Sequence, residues 1–410
     1  MHMNSKNEIL PKLRFSEFKG KYDIDFLNGN LLFESITNRD HNSDLPILAI
    51  TQDQGAVPRE QIDYNVTVTD KSLTSYKVVE VGDFIISLRS FQGGIEYSRF
   101  KGICSPAYIV LRKKKKKIID YYYKYFFKTD SYIRRLNKDL KGIRDGKMIS
   151  YNQFSSIKIP FPDFDEQKKI AMCLSSIDEL IDAESRKLDT LEKYKKGLMQ
   201  KLFPSEGKNL PEWRFNEFKN DESWKEKSIE KSCEIFSGGT PDTSTKEYYK
   251  GEIPFIRSAE ISKENTELYI TEEAVNNSSA KMVKKGDVLI ALYGANSGEV
   301  SLAKIEGAIN QAVLCLRHET NNVFLYHYFS HIKSSVVSKY IQGGQGNLSG
   351  QIIKSLVFAF PCPEEQKKIA TCLSEIDCVI NMQTNKVDQL KIHKQGLMQG
   401  LFPSLEETDI

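Results

Sequence analysis

The chain has 410 residues, 40% apolar and 28% charged, which are ordinary values for a globular protein large enough for two or three cores. No apolar run of about 18 residues offers a membrane span, the polar start is not a secretory signal, and seven cysteines without a CxxC pair argue against a disulfide framework; the expectation is a cytoplasmic protein. A net charge of +3 is too small to announce nucleic acid, so any such binding must come from local patches.

In chain order, residues 1–162 read as a first globular domain of mixed strand and helix. Apolar runs at 83–87, 107–111 and 157–161 alternate with glycine and polar loops, as strands do. The aromatic segment 121–127 is expected to be core packed on them. Two loops hold residues suited to a phosphate backbone or base edges: Ser87-Leu-Arg-Ser-Phe-Gln-Gly-Gly94 and Lys141-Gly-Ile-Arg-Asp-Gly-Lys147. The candidates are Arg89, with Arg99 and Lys101 soon after, then Lys141, Arg144 and Lys147. Residues 112–117 are six consecutive basic residues, read first as a solvated loop following a strand.

Residues 163–205 read as one long helix. Positions 170, 174, 177, 181, 184, 188, 191, 195, 198 and 202 form a seam with a 3.5-residue period, apolar except at Glu184 and Lys195. Such a seam over more than four heptads is that of a coiled coil. Asp163 with Glu166 suggests a capping box at its start, and Pro204 ends it.

Residues 206–361 repeat the globular pattern, with an aromatic segment at 324–329 and candidate loops Tyr293-Gly-Ala-Asn-Ser-Gly298 and Gln342-Gly-Gly-Gln-Gly-Asn-Leu-Ser349. Tyr293, Asn296, Gln345 and Asn347 are the candidates there. Residues 362–410 bring a second long helix, with Pro363 in its first turn, and a tail.

The chain is a duplication. Glu166-Gln-Lys-Lys-Ile-Ala171 returns as Glu365-Gln-Lys-Lys-Ile-Ala370, and Gly197-Leu-Met-Gln200 as Gly396-Leu-Met-Gln399. Leu202-Phe-Pro-Ser205 returns as Leu401-Phe-Pro-Ser404, so that 24 of the 40 positions from 166 to 205 are identical at an offset of 199. Pro11-Lys-Leu-Arg-Phe-Ser-Glu-Phe18 matches Pro211-Glu-Trp-Arg-Phe-Asn-Glu-Phe218. Between these anchors only faint echoes survive, such as Gly82-Asp83 with Gly286-Asp287. The helices kept their residues while the globular halves drifted, as expected if those halves do one kind of job on different objects. The fold class expected is mixed α/β (α+β): two globular domains separated by two long helices in an antiparallel coiled coil, with an internal pseudo-two-fold repeat. Pairing with another subunit is the competing use of the seam.

Catalytic signatures are missing from the sequence. There is no G-x-x-x-x-G-K-S/T loop for an ATP-driven motor, no Asn/Asp-Pro-Pro-aromatic tetrad and no Cys/His cluster. Asp163, Glu166 and Lys168 resemble a nuclease set only superficially, since all lie in one helical first turn.

Two variable domains, two near-identical helical segments, the E-Q-K-K-I-A phrase and the G-L-M-Q-x-L-F-P-S ending together resemble the specificity subunits of type I restriction-modification enzymes. The resemblance covers essentially the whole chain. It implies two target-recognition domains, each reading half of a bipartite double-stranded DNA site, with the helices as a ruler between them. It implies two methyltransferase subunits that modify adenine N6 and restriction subunits that cut after ATP-driven translocation. S-adenosylmethionine, ATP and Mg²⁺ then belong to those partners, with no cofactor or metal site in this non-catalytic chain. The base-reading groups are expected among Arg89, Arg144, Asn296, Gln345 and Asn347, because arginine fits guanine edges while Asn and Gln fit adenine. A duplicated coiled-coil scaffold without DNA readout is the alternative reading.

Overall fold

A computed structural model describes residues 10–20, 23–41, 44–62, 73–138, 149–294, 296–340 and 348–404. The chain divides into two compact units, Met1–Glu184 with Lys386–Ile410, and Ser185–Asn385. The division falls inside the long helices rather than at 162, 205 and 361, because each unit takes half of each helix against its own globular part.

In the first unit, a four-stranded antiparallel sheet runs Phe33–Ile36, Ile109–Lys113, Phe84–Ile86, Glu96–Tyr97 in spatial order. Phe84–Ile86 is a continuous apolar run and all three residues are buried, as expected of an inner strand. The 121–127 aromatics form the helix Asp120–Phe126, which buries Tyr122, Tyr123, Tyr125 and Phe126. Phe33 meets Phe84 and Tyr123 edge-on at centroid separations of 5.4 and 5.2 Å.

In the second unit the same order recurs: Cys233–Ser237, Val313–His318, Val288–Ala291, Val300–Leu302. The 324–329 aromatics lie in the helix Asn322–Tyr340, with Phe324, Tyr328 and Phe329 buried. A second sheet in this unit joins Tyr269–Ile270, Ile253–Ile256, Gly307–Ile309 and Lys281–Val283.

Both Gly-Asp pairs do the same work. Gly82 and Gly286 take φ of +96° and +90°, a conformation that only glycine adopts without cost. The following aspartates are buried and each grips an arginine of its own sheet, Asp83 with Arg112 at 2.6 Å and Asp287 with Arg317 at 3.0 Å. Arg112, first of the six basic residues, is therefore structural.

The long helices span Phe164–Leu202 and Pro363–Leu401, and every expected seam position is buried or half-buried. In the first unit Asp178 pairs with Lys394 and Glu184 with Lys386, both at 2.6 Å. Ascending one helix descends the other, so the pairing is antiparallel. In the second unit the seam residue Lys195 pairs with Asp377. Burial opposes ionisation of Asp178, yet hydrogen bonds from Lys394 and Tyr125 hold its carboxyl below the usual carboxylate range.

One local expectation is corrected. Asp163 does cap the first helix, accepting from the Asp165 N–H at 2.9 Å, but Glu166 does not complete a capping box. Its two oxygens take Arg14 Nε and Nη2 at 2.7 and 2.8 Å. The repeat holds in the second unit, where Arg214 gives Glu365 the same fork at 2.9 and 2.6 Å. Beside each fork a second tie recurs, Glu17 with Lys169 and Glu217 with Lys368. The P-x-x-R-F-x-E-F and E-Q-K-K-I-A phrases thus persist together because they bond to each other. The L-F-P-S endings persist because Phe402 packs on Tyr122 in the first unit and Phe203 on Tyr328 in the second.

Candidate nucleic-acid interface

In the first unit the register pairs Ile86 with Ile109 and Ile36 with Val110. Three connections therefore meet at one end of the sheet: 37–41, 87–94 and 105–108. Arg89 lies exposed on the second, and Arg39 exposed on the first. Ser105 accepts from the Ala107 N–H at 3.3 Å and so fixes the third as a side-chain-capped turn.

In the second unit Ala291 pairs with Val313 and Ser237 with Leu314, which gathers 238–241, 292–299 and 310–312 at the equivalent end. Tyr293 is exposed and Asn296 half-buried on the middle loop. Asn310 Oδ1 accepts from the Ala312 N–H at 3.1 Å, matching the Ser105 turn, and Gln311 at its tip accepts a 2.7 Å hydrogen bond from Thr240. The Leu348 N–H donates to Leu292 O at 3.1 Å, so the chain that follows residues 341–347 reaches this same end. In the first unit Asn137, just before residues 139–148, donates to Phe91 O. Lys141, Arg144, Lys147, Gln345 and Asn347 themselves lie outside the described residues.

Arg99 and Lys101 do not join Arg89. They follow Glu96–Tyr97, at the opposite end of the hairpin, where the Gly82 N–H donates to Ser98 O and Lys101 pairs with Glu80 at 3.0 Å. The lysine run is at that far end too: Lys113 pairs with Asp120 at 2.7 Å and Lys115 lies over the Phe161 ring. Arg39, Thr240 and Gln311 escaped the sequence reading. The signal for them was polar residues immediately after or before matched strands, Thr37-Asn-Arg39, Ser237-Gly-Gly-Thr240 and Asn310-Gln311.

The Arg89 loop is held from behind. Lys128 Nζ donates to Gly93 O at 2.8 Å, to Gln52 O at 3.2 Å and to buried Glu96. Burial pushes the Glu96 carboxyl up to about 7, with Lys128 offsetting part of the shift. Folded Glu96 thus binds its proton more tightly than unfolded Glu96. Its contribution to stability is full below the ordinary glutamate pKa of 4.5 and is lost as pH rises through about 7. Between pH 5 and pH 8, the first unit should lose stability relative to a Glu96→Gln variant, whose amide does not titrate. Hydrogen exchange of first-unit peptides measures this, and equal pH slopes in the two proteins would overturn it.

Among the described residues no group of His, Cys, Asp and Glu has metal-ligand geometry, and no helix is long and apolar enough to cross a membrane. The site offers exposed hydrogen-bonding side chains on turns held by their own hydrogen bonds.

Comparison with known proteins agrees across both halves. The family model of the type I restriction modification DNA specificity domain matches residues 11–193 and 221–391. The putative type I restriction enzyme MjaX specificity subunit of Methanocaldococcus jannaschii is 29% identical over 262 residues, 62% of this chain but only 60% of that protein. The MjaVIII specificity subunit of the same organism is 24% identical over 356 residues, 82% of this chain and 81% of that one. The crystal structure of a type-I restriction-modification system S subunit from M. genitalium superposes with a TM-score of 0.60 over 97% of this chain and all of that one, at 15% identity, a likeness of fold alone. Two matched copies of the family's domain, laid over the two halves of a duplicated chain, establish that this chain belongs to the family of type I restriction-modification specificity subunits.

Proposed function

We propose that each unit reads one half of a bipartite double-stranded DNA target, and that the paired helices set the spacing and dock two methyltransferase subunits. Restriction subunits join that assembly. S-adenosylmethionine, ATP and Mg²⁺ act in the partners, and this chain contributes recognition without catalysis.

One observation carries the reading. Both units bring three loops to the same end of the same sheet, one of them in each unit on a turn capped in the same way, yet load them with different polar side chains. Arg39 and Arg89 stand in the first unit; Thr240, Tyr293, Asn296 and Gln311 stand in the second. A shared scaffold with divergent tips suits one task performed on different base sequences. Arginine matches guanine O6 and N7, whereas an amide matches adenine N6 and N7. Phosphate contacts add affinity without sequence information, and salt weakens them steeply.

Replacing residues 206–361 by the equivalent domain of a relative is expected to change one half-site and leave the other intact. The measurement is methylation of randomised duplexes by the assembled complex, at salt high enough to suppress phosphate-only binding. If both half-sites change together, the assignment of one unit to one half-site is wrong.

A further inference from the structure

We infer that Gln311, oriented by Thr240, is a base-reading residue of the second unit and specifies an adenine in the half-site that this unit contacts. This rests on the half-site reading proposed above and adds to it a residue and a base.

Gln311 is exposed at the tip of the 310–312 turn, and an exposed glutamine normally samples many rotamers. Here Thr240 Oγ1 donates to its Oε1 at 2.7 Å. That bond uses one lone pair of the amide oxygen. Among the described residues, it leaves the other lone pair and both Nε2–H donors open. One acceptor beside one donor in a plane complements adenine, whose N6 amino group donates and whose N7 accepts. Fixing the amide before contact also reduces the rotamer entropy lost on binding.

Both supports of the pair are rigid. On the Gln311 side, Asn310 caps its own turn through the Ala312 N–H, and the Val313 N–H returns to Asn310 O at 3.2 Å. On the Thr240 side, the chain passes so close to Ile309 that a Cβ on Gly238 would lie 1.7 Å from the Ile309 carbonyl oxygen. Tyr249 then anchors the next residue by donating to Pro241 O at 2.8 Å. Nothing in this packing needs the Gln311 amide.

The first unit supplies an internal comparison. Aligning Ala107 with Ala312 puts Pro106 where Gln311 stands, on a turn capped by Ser105. Proline has no side-chain donor or acceptor, and the turn forms all the same. The amide is therefore dispensable for the fold and specific to the second unit, as a recognition residue should be.

The test uses the complete complex with its methyltransferase subunits and a panel of duplexes varied one base pair at a time. The wild-type complex first defines two half-sites. Gln311→Ala is expected to relax discrimination at one A·T position of one half-site by roughly 5- to 150-fold, with the other half-site unchanged. Thr240→Val, which removes the orienting donor, should relax the same position less. Gln311→Glu, an acceptor without a donor, should shift that position toward cytosine, whose N4 amino group donates. Intact discrimination in Gln311→Ala would overturn the inference, as would an equal loss on all sequences, which marks a phosphate contact. A wild-type complex with no two-part preference would instead remove the half-site reading, and this inference with it.

Discussion

Replacing Arg214 with alanine is expected to destabilise the second unit by about 3–5 kcal/mol, the cost of leaving one member of a buried ion pair alone. The side chains of Arg214 and Glu365 are 9% and 1% exposed, so the pair is largely shielded from water. After the change, the Trp224 Nε1–H, at 3.1 Å, is the one side-chain donor among the described residues left to balance the buried Glu365 carboxylate. Arg214 also donates to Asp221 O at 3.1 Å, and that bond is lost as well. The readout is direct because the chain has two tryptophans, Trp213 and Trp224, both in the second unit. Urea unfolding followed by tryptophan fluorescence therefore reports on this unit. A loss below about 1 kcal/mol, the scale of an exposed pair, would show that the fork is not buried in solution.

The same fork marks where sequence reading succeeded and where it stopped. Duplication, both long helices and the seam were legible because identity at a fixed offset and a 3.5-residue period are local, countable signals. The polar seam positions were legible too, and Glu184 and Lys195 found partners in Lys386 and Asp377. The partner of Glu166 was not legible. Arg14 lies 152 residues away, so the sequence showed a carboxylate three residues past Asp163 and suggested a cap instead. Helix capping and a buried fork use the same residue types, and only tertiary structure separates them.

The candidate site divides in the same way. Arg89, Arg99 and Lys101 looked like one cluster because they fall within thirteen consecutive positions of the chain. Arg89 sits in the turn of a hairpin, and the returning strand Glu96–Tyr97 carries the chain away from it before Arg99 and Lys101, to the other end of the sheet. Gln311 and Thr240 failed to stand out for the converse reason. They are 71 residues apart, and neither belongs to a periodic pattern; the antiparallel pairing of Ser237 with Leu314 is what brings their loops together.

Adding four residues to each long helix, after Glu184 and after Asn385, is expected to lengthen the preferred gap between unchanged half-sites by about two base pairs. Four helical residues add about 6 Å of rise, and successive base pairs are about 3.4 Å apart. Four residues also turn a helix by about 400°, leaving a net rotation near 40°, so the seam is nearly kept in phase. Both insertions fall at the division between the compact units. Asp178 with Lys394 and Glu184 with Lys386 stay on one side, and Lys195 with Asp377 on the other, so each ion pair keeps its partner. An insertion in one helix alone lacks this property, since the unmatched turn must bulge or shift the seam past those pairs; it should impair folding rather than change the gap. The measurement is methylation of a duplex series with fixed half-sites and gaps increasing one base pair at a time. A doubly extended chain that folds, assembles with its methyltransferase subunits and still prefers the original gap would show that something other than the helices sets the distance.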